Sequence, residues 1–376
     1  MAKTVFVGMS GGVDSSVSAL LLKEQGYKVI GVYMKNWSKD LPGMKCPWAE
    51  DLADAKRVAV KLGIDFEVWD FEEAYREKVV EYMLREFRAG NTPNPDIMCN
   101  QEIKFKLFYE KAMERGADFI ATGHYARIIG GKLARAVDEN KDQTYFLYRI
   151  SEEALAHTIF PIGEMLKPEV KKLAEENDLH NAYKKESMGV CFVGEVGMKD
   201  FLKEYIDIRP GEIREIESEK VLGYHEGAVF YTIGQRHGLY LNGVTGEVND
   251  GLPYYVVKKD IENNVVYVSK NLNDEHIWTK KLELKDTFLR TGPAVAASPT
   301  VLGSRLRAAG DPPAPSPVRV DVRLRHRAPL IPAKIVLGEN NAATLEFDNE
   351  VKRPAAGQSA VIYNGEICLG GGIISQ

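Results

Sequence analysis

TVFVGMSGGVDSSVSALLLKEQG, residues 4–26, is the stretch whose reading decides the fold. TVFVGMS (4–10) is a continuous apolar run closed by glycines, the pattern of a strand buried on both faces of a parallel sheet. Ser15 to Gln25 then reads as a helix carrying Val17, Leu20 and Leu21 and stopped by Gly26. Between the two lies Ser10-Gly11-Gly12-Val13-Asp14-Ser15-Ser16. Glycines there let backbone N–H groups approach a phosphate, and the helix that follows presents the positive end of its dipole. The serine hydroxyls add donors, and Asp14 is expected to hold a magnesium ion or to cap the helix. No lysine follows the glycines, so this is not the Walker-type loop that grips β- and γ-phosphates.

Outward from this turn the chain keeps alternating. KVIGVYM (28–34), DFEVWDF (65–71) and DFIATGHYA (118–126) read as strands, and 48–62, 72–88 and 101–115 as helices. Strands separated by helices predict an α/β domain, a doubly wound parallel sheet, over residues 1–205. Ligands of such sheets sit at the carboxyl ends of the strands, where Met34 is placed to pack on adenine and Gly123 to open the backbone to a nucleotide. Beyond 205 the pattern becomes short alternating runs broken by Gly, Asn and Asp, such as AVFYTIG, YYVVKKD and NVVYVSK. Two small β domains are expected, 206–275 and 276–376, the last a β-barrel in which VRVDVRLRHR (318–327) alternates strictly.

The chain has 376 residues, 44% hydrophobic and 27% charged, which excludes a disordered tail. It has no apolar run long enough to span a bilayer and opens without a secretory pattern, so a cytoplasmic protein without membrane partners is expected. A net charge of −5 speaks against uniform wrapping on nucleic acid, yet residues 288–335 hold eight Lys/Arg, among them Arg323, Arg325 and Arg327. Residues 291–317 hold six of the chain's 17 prolines and no lysine, an atypical Pro/Ala-rich insert in an otherwise lysine-rich chain.

Four cysteines in so long a chain are no disulfide framework. Cys46 and Cys368 read as small buried hydrophobes. Cys99 ends the polar, proline-stiffened loop Asn91-Thr92-Pro93-Asn94-Pro95-Asp96-Ile97-Met98-Cys99-Asn100, before a helix whose N-terminus lowers a thiol's pKa. Cys191 sits between Gly189 and Gly194, which permit movement. No CxxC spacing supports a metal or iron–sulfur site.

The motifs GMSGGVDSS (8–16), NTPNPDIMCN (91–100), TGHYAR (122–127), KDQTYFL (141–147), GVCFVG (189–194), YTIGQRHGL (231–239) and GQSAVIY (357–363) together resemble the tRNA-specific 2-thiouridylases. SGGVDS itself resembles the pyrophosphate loop of the ATP pyrophosphatases, whose adenine nucleotide α-hydrolase-like sheet is the one expected here. The resemblance implies three domains and replacement of the C2 oxygen of the tRNA wobble uridine by sulfur, with release of AMP and pyrophosphate. It implies ATP, with Mg2+, against Gly8, Met9, Ser10, Gly11, Gly12, Val13, Asp14, Ser15, Met34 and Gly123. It places Asn94, Pro95 and Asp96 at the target base. His124, Lys141, Asp142, Gln143 and Gln358 would touch tRNA, as would Arg325-His326, where the family carries Arg-Tyr. Cys99 and Cys191 would handle a persulfide supplied by a sulfur-donor or relay protein, and no resident metal is implied.

The chemistry agrees with these residue types. The C2 oxygen of uridine belongs to a urea-like group and leaves poorly, whereas adenylation turns it into AMP. A persulfide can then deliver sulfur, and a second thiolate can cleave its S–S bond, closing a Cys99–Cys191 disulfide. Asp96 would assist proton movement, and an anticodon loop can splay its wobble base into a pocket. The rival readings are another adenylating enzyme, such as an amidotransferase-like synthetase or a tRNA lysidine synthetase, and a non-catalytic RNA binder that senses nucleotide.

Overall fold

The structure is a computed structural model that describes residues 2–40, 46–184, 198–239, 241, 253–271, 277–290 and 317–375. The chain divides into two compact units. The first comprises Met1–Tyr82, Pro95–Phe201 and Gly365–Leu369, and the second Met83–Asn94, Leu202–Asn364 and Gly370–Gln376.

In the first unit β1 (Thr4–Gly8), β2 (Lys28–Lys35), β3 (Asp65–Asp70), β4 (Phe119–Thr122) and β7 (Thr158–Ile159) form one parallel sheet in the order β3-β2-β1-β4-β7. The hairpin of β5 (Arg127–Ile129) and β6 (Lys132–Ala134) stands apart from it, with Ile367 opposite Ala134. The doubly wound expectation is thus met. Chain order reverses at β1, between β2 and β4, which is where open α/β sheets form their ligand crevice. Helix α1 (Val13–Glu24) buries Val17, Ala19, Leu20 and Leu22, and Val170 and Ala174 of the Lys167–Glu176 helix join the same apolar cluster. Covered on so many sides, α1 carries serines rather than charges at its buried positions Ser15, Ser16 and Ser18. Helix α2 (Trp48–Leu62) is amphipathic, buries Ala55, Val58, Ala59 and Leu62, and stops at Gly63.

Several boundaries differ from the sequence reading. The 118–126 strand ends at Thr122, since the backbone must leave the sheet where it meets the start of α1. The 72–88 stretch is helical but widens into a π segment at Arg76–Val80. The 101–115 helix begins earlier, at Pro95, where proline suits a first turn, and runs as a π segment over Cys99–Leu107 with a kink at Phe105.

The second unit holds an all-β core. β8 (Gly211–Glu215), β9 (Val221–His225), β10 (Tyr255–Asp260) and β11 (Val265–Ser269) form a sheet in the order β10-β11-β8-β9. AVFYTIG is not a strand: Ala228–Phe230 is a 3-10 turn whose Ala228 and Tyr231 plug the sheet's apolar cluster. β12 (Trp278–Leu289), β13 (Val318–Arg323), β14 (Ile331–Leu337), β15 (Ala343–Lys352), β16 (Ser359–Asn364) and β17 (Ile367–Ile374) form an antiparallel sheet in the order β12-β15-β14-β13-β16-β17. It closes through β12–β17 pairing, and this is the expected barrel. Closure removes the free edges that an open sheet leaves.

The run 318–327 corrects a second expectation. β13 ends at Arg323, which is 4% exposed with its guanidinium 5.4 Å from the ring of Tyr363. Arg325 and Arg327 are exposed in the turn that follows, where Arg327 has φ 63°. The three arginines therefore do not share one strand face. Arg290 is buried as well, and Arg305 and Arg307 lie outside the described residues.

Candidate functional site

The glycine turn occupies the carboxyl end of β1. Gly11 has φ +79°, and a Cβ there would stand 2.4 Å from the carbonyl oxygen of Asp51, so only glycine fits. Gly12 is the N-cap of α1 and makes no side-chain cap bond, which corrects the capping role offered for Asp14. The serines shape the turn. Ser15 and Ser16 hydroxyls donate to the Gly12 carbonyl at 3.0 and 2.9 Å, and Gly12 N donates to Ser10 Oγ at 3.4 Å. Ser10 itself is exposed, and Gly8, Met9 and Val13 are buried beneath the loop.

Asp14 lies in the first turn and looks elsewhere. Its Oδ1 accepts from Lys167 Nζ at 2.6 Å and from the Tyr125 hydroxyl at 3.1 Å. Lys167 is 7% exposed, and its backbone N–H donates to Asp138 Oδ2 at 3.0 Å. This buried cation was not found by sequence reasoning. Pro168 marks a helix start, but nothing in the sequence pairs an ammonium with a carboxylate 153 residues away. The loop is also fixed from behind. Asn181 Nδ2 donates to Gly11 O and Ser16 Oγ, both at 2.9 Å, and Lys184 bridges Asp51 and Asp54 of α2 at 2.8 and 2.6 Å. Burial would raise the Asp54 pKa, but Lys184 and His180 outweigh it and hold the carboxyl below the usual range.

The two other positions expected at a nucleotide, Met34 and Gly123, fall beside this loop. A Cβ on Gly8 would stand 2.8 Å from Met34 Cε, so the half-buried Met34 lines the end of β1. A Cβ on Gly123 would stand 2.6 Å from Ser15 N and 2.7 Å from Asp14 C. Backbone cannot yield as a side chain does. Gly123→Ala is therefore expected to cost about 1–3 kcal/mol of stability and to blunt the shift that ATP gives. Thermal unfolding with and without ATP checks it, and a wild-type profile would refute the close approach.

The thiol and acid positions lie on the Pro95 helix. Cys99 is 2% exposed at the start of the π segment, one turn inside the helix rather than at its tip as the sequence suggested. Burial pushes the Asp96 carboxyl pKa up, and the charge of Lys104 opposes this. His124 is buried, with Nδ1 2.8 Å from Thr122 Oγ1 and Nε2 3.5 Å from Lys104 Nζ. Burial first, and then Lys104, holds its pKa well below 6.5, so the imidazole is neutral.

The remaining positions divide. Asp142 is 1% exposed and turned inward, accepting from Ala136 N, Thr144 N and Thr144 Oγ1, so its carboxylate shapes a turn and does not face solvent. Gln143 Oε1 accepts from Tyr125 N at 2.9 Å, and Lys141 is half-buried beside it. In the second unit Gln358 Nε2 donates to Thr92 O at 2.7 Å, bracing the loop that leads to the half-buried Asn94. Pro95 is buried, Arg325 exposed and His326 half-buried. Cys46 and Cys368 are buried, and Cys191 with Gly189 and Gly194 lies outside the described residues. Among the described residues no three His, Cys, Asp or Glu side chains cluster to hold a metal, and no helix is long and apolar enough to cross a membrane.

Three family profiles match the chain in series. A tRNA methyl transferase HUP domain covers residues 3–195, a tRNA methyl transferase PRC-barrel domain 199–270, and an aminomethyltransferase beta-barrel domain 300–374. Full-length relatives bear a different name. The tRNA-specific 2-thiouridylase MnmA of Idiomarina loihiensis is 44% identical over 380 residues, covering 100% of this chain and 96% of the relative. That of Klebsiella pneumoniae subsp. pneumoniae is 45% identical over 379 residues, covering 100% and 97%. That of Lysinibacillus sphaericus is 43% identical over 378 residues, covering 99% and 94%.

Proposed function

This chain belongs to the tRNA-specific 2-thiouridylases, a family of tRNA sulfurtransferases, and from that premise we propose an ATP-dependent 2-thiolation of the wobble uridine in two stages. In the first, the uridine O2 attacks the α-phosphate of magnesium-bound ATP. The O2–P bond forms, the P–O bond to pyrophosphate breaks, and the N3 proton passes to Asp96. In the second, sulfur from a persulfide on Cys191 replaces the adenylated oxygen at C2, and AMP leaves.

The observation that carries this reading is the glycine turn at the carboxyl end of the parallel sheet, with an uncapped helix N-terminus and the Lys167 ammonium beside it. Uncapped N–H groups and a buried cation suit a triphosphate and a departing pyrophosphate. Magnesium enters with ATP as part of the substrate. Gly8 to Ser15, Met34 and Gly123 would hold the nucleotide, and Asn94, Pro95 and Asp96 the splayed base. Cys99 would release the sulfur. A sulfur-donor or relay protein would reload Cys191, in the cytoplasm. On the RNA side we assign Lys141, Gln143, Arg325, His326 and Gln358. His124 and Asp142 would support that surface from within.

Nucleoside mass spectrometry after incubation of unmodified tRNA with ATP and a persulfide donor tests the proposal. A 2-thiouridine at the wobble position, with one AMP and one pyrophosphate per sulfur, is expected. A methylated nucleoside, or thiolation without ATP, would overturn it.

The exposed turn after β13 yields a separate expectation. Each phosphate contact neutralised contributes about 0.7–0.9 to the slope of log affinity against log salt. Replacing Arg325 and Arg327 together by Ala is therefore expected to flatten that slope by about 1.4–1.8. An unchanged slope would make both arginines merely solvated.

A further inference from the structure

Asn181 stands in the turn that follows the Lys167–Glu176 helix and is 2% exposed, yet the two-stage reaction above gives it no role. Leu179 and Ala182, to either side of it, are sunk in the apolar cluster that also holds Val13 and Val17, so its place behind the glycine turn is fixed. Its Nδ2 reaches 170 residues back along the chain to donate to the Gly11 carbonyl at 2.9 Å, and it donates to Ser16 Oγ at the same distance. Ser16 Oγ in turn donates to the Gly12 carbonyl at 2.9 Å. Both glycine carbonyls are therefore drawn to the buried side, one directly and one through a hydroxyl.

The partners decide which end of the amide faces the turn. A carbonyl only accepts, so the group against Gly11 O must be the NH2, and its two protons are both used. The other end, Oδ1, is buried with no hydrogen-bond partner among the described residues. An unpaired buried acceptor costs stability, so the contribution of this side chain lies in its donor end.

That donor controls one peptide. In a planar trans peptide the C=O and N–H point in opposite directions, so holding Gly11 O on Asn181 aims the Gly12 N–H to the other, open side. There it meets the exposed Ser10 Oγ at 3.4 Å, long for a hydrogen bond and readily surrendered to a phosphate oxygen. Glycine on both sides makes this peptide easy to reverse. Reversal would carry Gly12 from φ −87° to a positive φ, which glycine accepts without strain. It would also turn a carbonyl oxygen toward the phosphates and take the N–H away from them.

We propose that Asn181 is a positioning residue that latches the Gly11–Gly12 peptide with its N–H toward the phosphates of the bound nucleotide. The proposal rests on the reading of the glycine turn as the phosphate site. Without the Nδ2 donor, Gly11 O would be a buried acceptor with no partner. Reversal would relieve that by bringing the oxygen to the open side, where water reaches it. The loss then falls on phosphate recognition, while the adenine side of the nucleotide, assigned to Met34, is untouched.

Calorimetric binding of inorganic pyrophosphate, ATP and adenosine to the full-length protein tests this. Asn181→Leu keeps the shape of the side chain and deletes the donor. Its Kd for pyrophosphate and for ATP is expected to rise roughly 10–100-fold, the scale of one hydrogen bond to a charged group. Its Kd for adenosine should stay within about twofold of wild type. A merely structural role would weaken all three ligands together, and that result, or an unchanged Kd for pyrophosphate, would overturn the latch. A wild-type protein that binds adenosine but neither pyrophosphate nor ATP would instead overturn the phosphate reading beneath it. Should Asn181→Leu show no cooperative thermal unfolding, Asn181→Ala carries the same comparison.

Discussion

Asp14→Ala is expected to release pyrophosphate at least about 100-fold more slowly than the wild-type protein, while tRNA affinity changes by less than about twofold. The first effect follows from the carboxylate's place in the opening turn of α1, where it holds Lys167 Nζ at 2.6 Å and the Tyr125 hydroxyl at 3.1 Å. Without it the ammonium loses the partner that sets its position over the loop. The second follows because the Asp14 carboxylate is engaged by Lys167 and Tyr125 and is not among the groups assigned to RNA. Removing one partner of a buried cation also costs stability, about 1–3 kcal/mol for a group left unsatisfied. Asp14→Asn keeps an acceptor and should recover the stability but not the rate. Ser10→Ala, which would delete one of the donors proposed for the phosphates, should slow adenylation with little loss of stability. Unchanged pyrophosphate release in Asp14→Ala would sink the assignment.

The second large effect concerns the thiols. Cys99→Ser is expected to abolish thiolation while persulfide accumulates on Cys191, and Cys191→Ser to accept no sulfur. In the step proposed, the Cys99 thiolate attacks Cys191 Sγ, the persulfide S–S bond breaks, and hydrosulfide leaves as the Cys99–Cys191 disulfide closes. Hydrosulfide then adds at C2 and expels AMP, and an added thiol reductant must reopen the disulfide before the next turnover. At 2% exposure Cys99 is poorly placed to meet an external donor, which suits release rather than loading. The measurement is mass spectrometry of each variant after incubation with a persulfide donor. Persulfide on Cys99 in Cys191→Ser, with turnover continuing, would reverse the roles. Persistent single turnover without reductant in the wild-type protein would independently support disulfide closure.

Much of the fold was legible because its signals are local. The apolar run at 4–8 leaves a strand buried on both faces, and the glycine pair that follows marks the turn, where a Cβ on Gly11 would meet the Asp51 carbonyl. In the four-stranded sheet of the second unit two strands were missed. GEIRE (211–215) and VLGYH (221–225) are short, and the charges of the first hid it, since Glu212 and Arg214 pair with each other on one face at 2.6 Å. AVFYTIG misled in the opposite direction, because apolar content shows burial but not backbone geometry.

The sequence by itself determined the alternation of strands and helices from β1 to β4, the phosphate-type turn between β1 and α1, the barrel and the family. Each rests on periodicity or on a contiguous motif, whose physical cause lies within a few residues of chain. Only the tertiary structure decided which charges face inward. Arg323 alternates in sequence exactly as a solvated strand residue would, yet the end of β13 lies against Tyr363 and the guanidinium is buried. Asp142 stands in a polar motif, yet it is turned inward to hold Thr144. Lys167 reaches Asp14 only because its helix packs against α1, and Lys104 reaches His124 only because the turn after β4 lies against the π segment. A charge's partner is set by distance in space, and strands that neighbour one another in a parallel sheet come from distant parts of the chain.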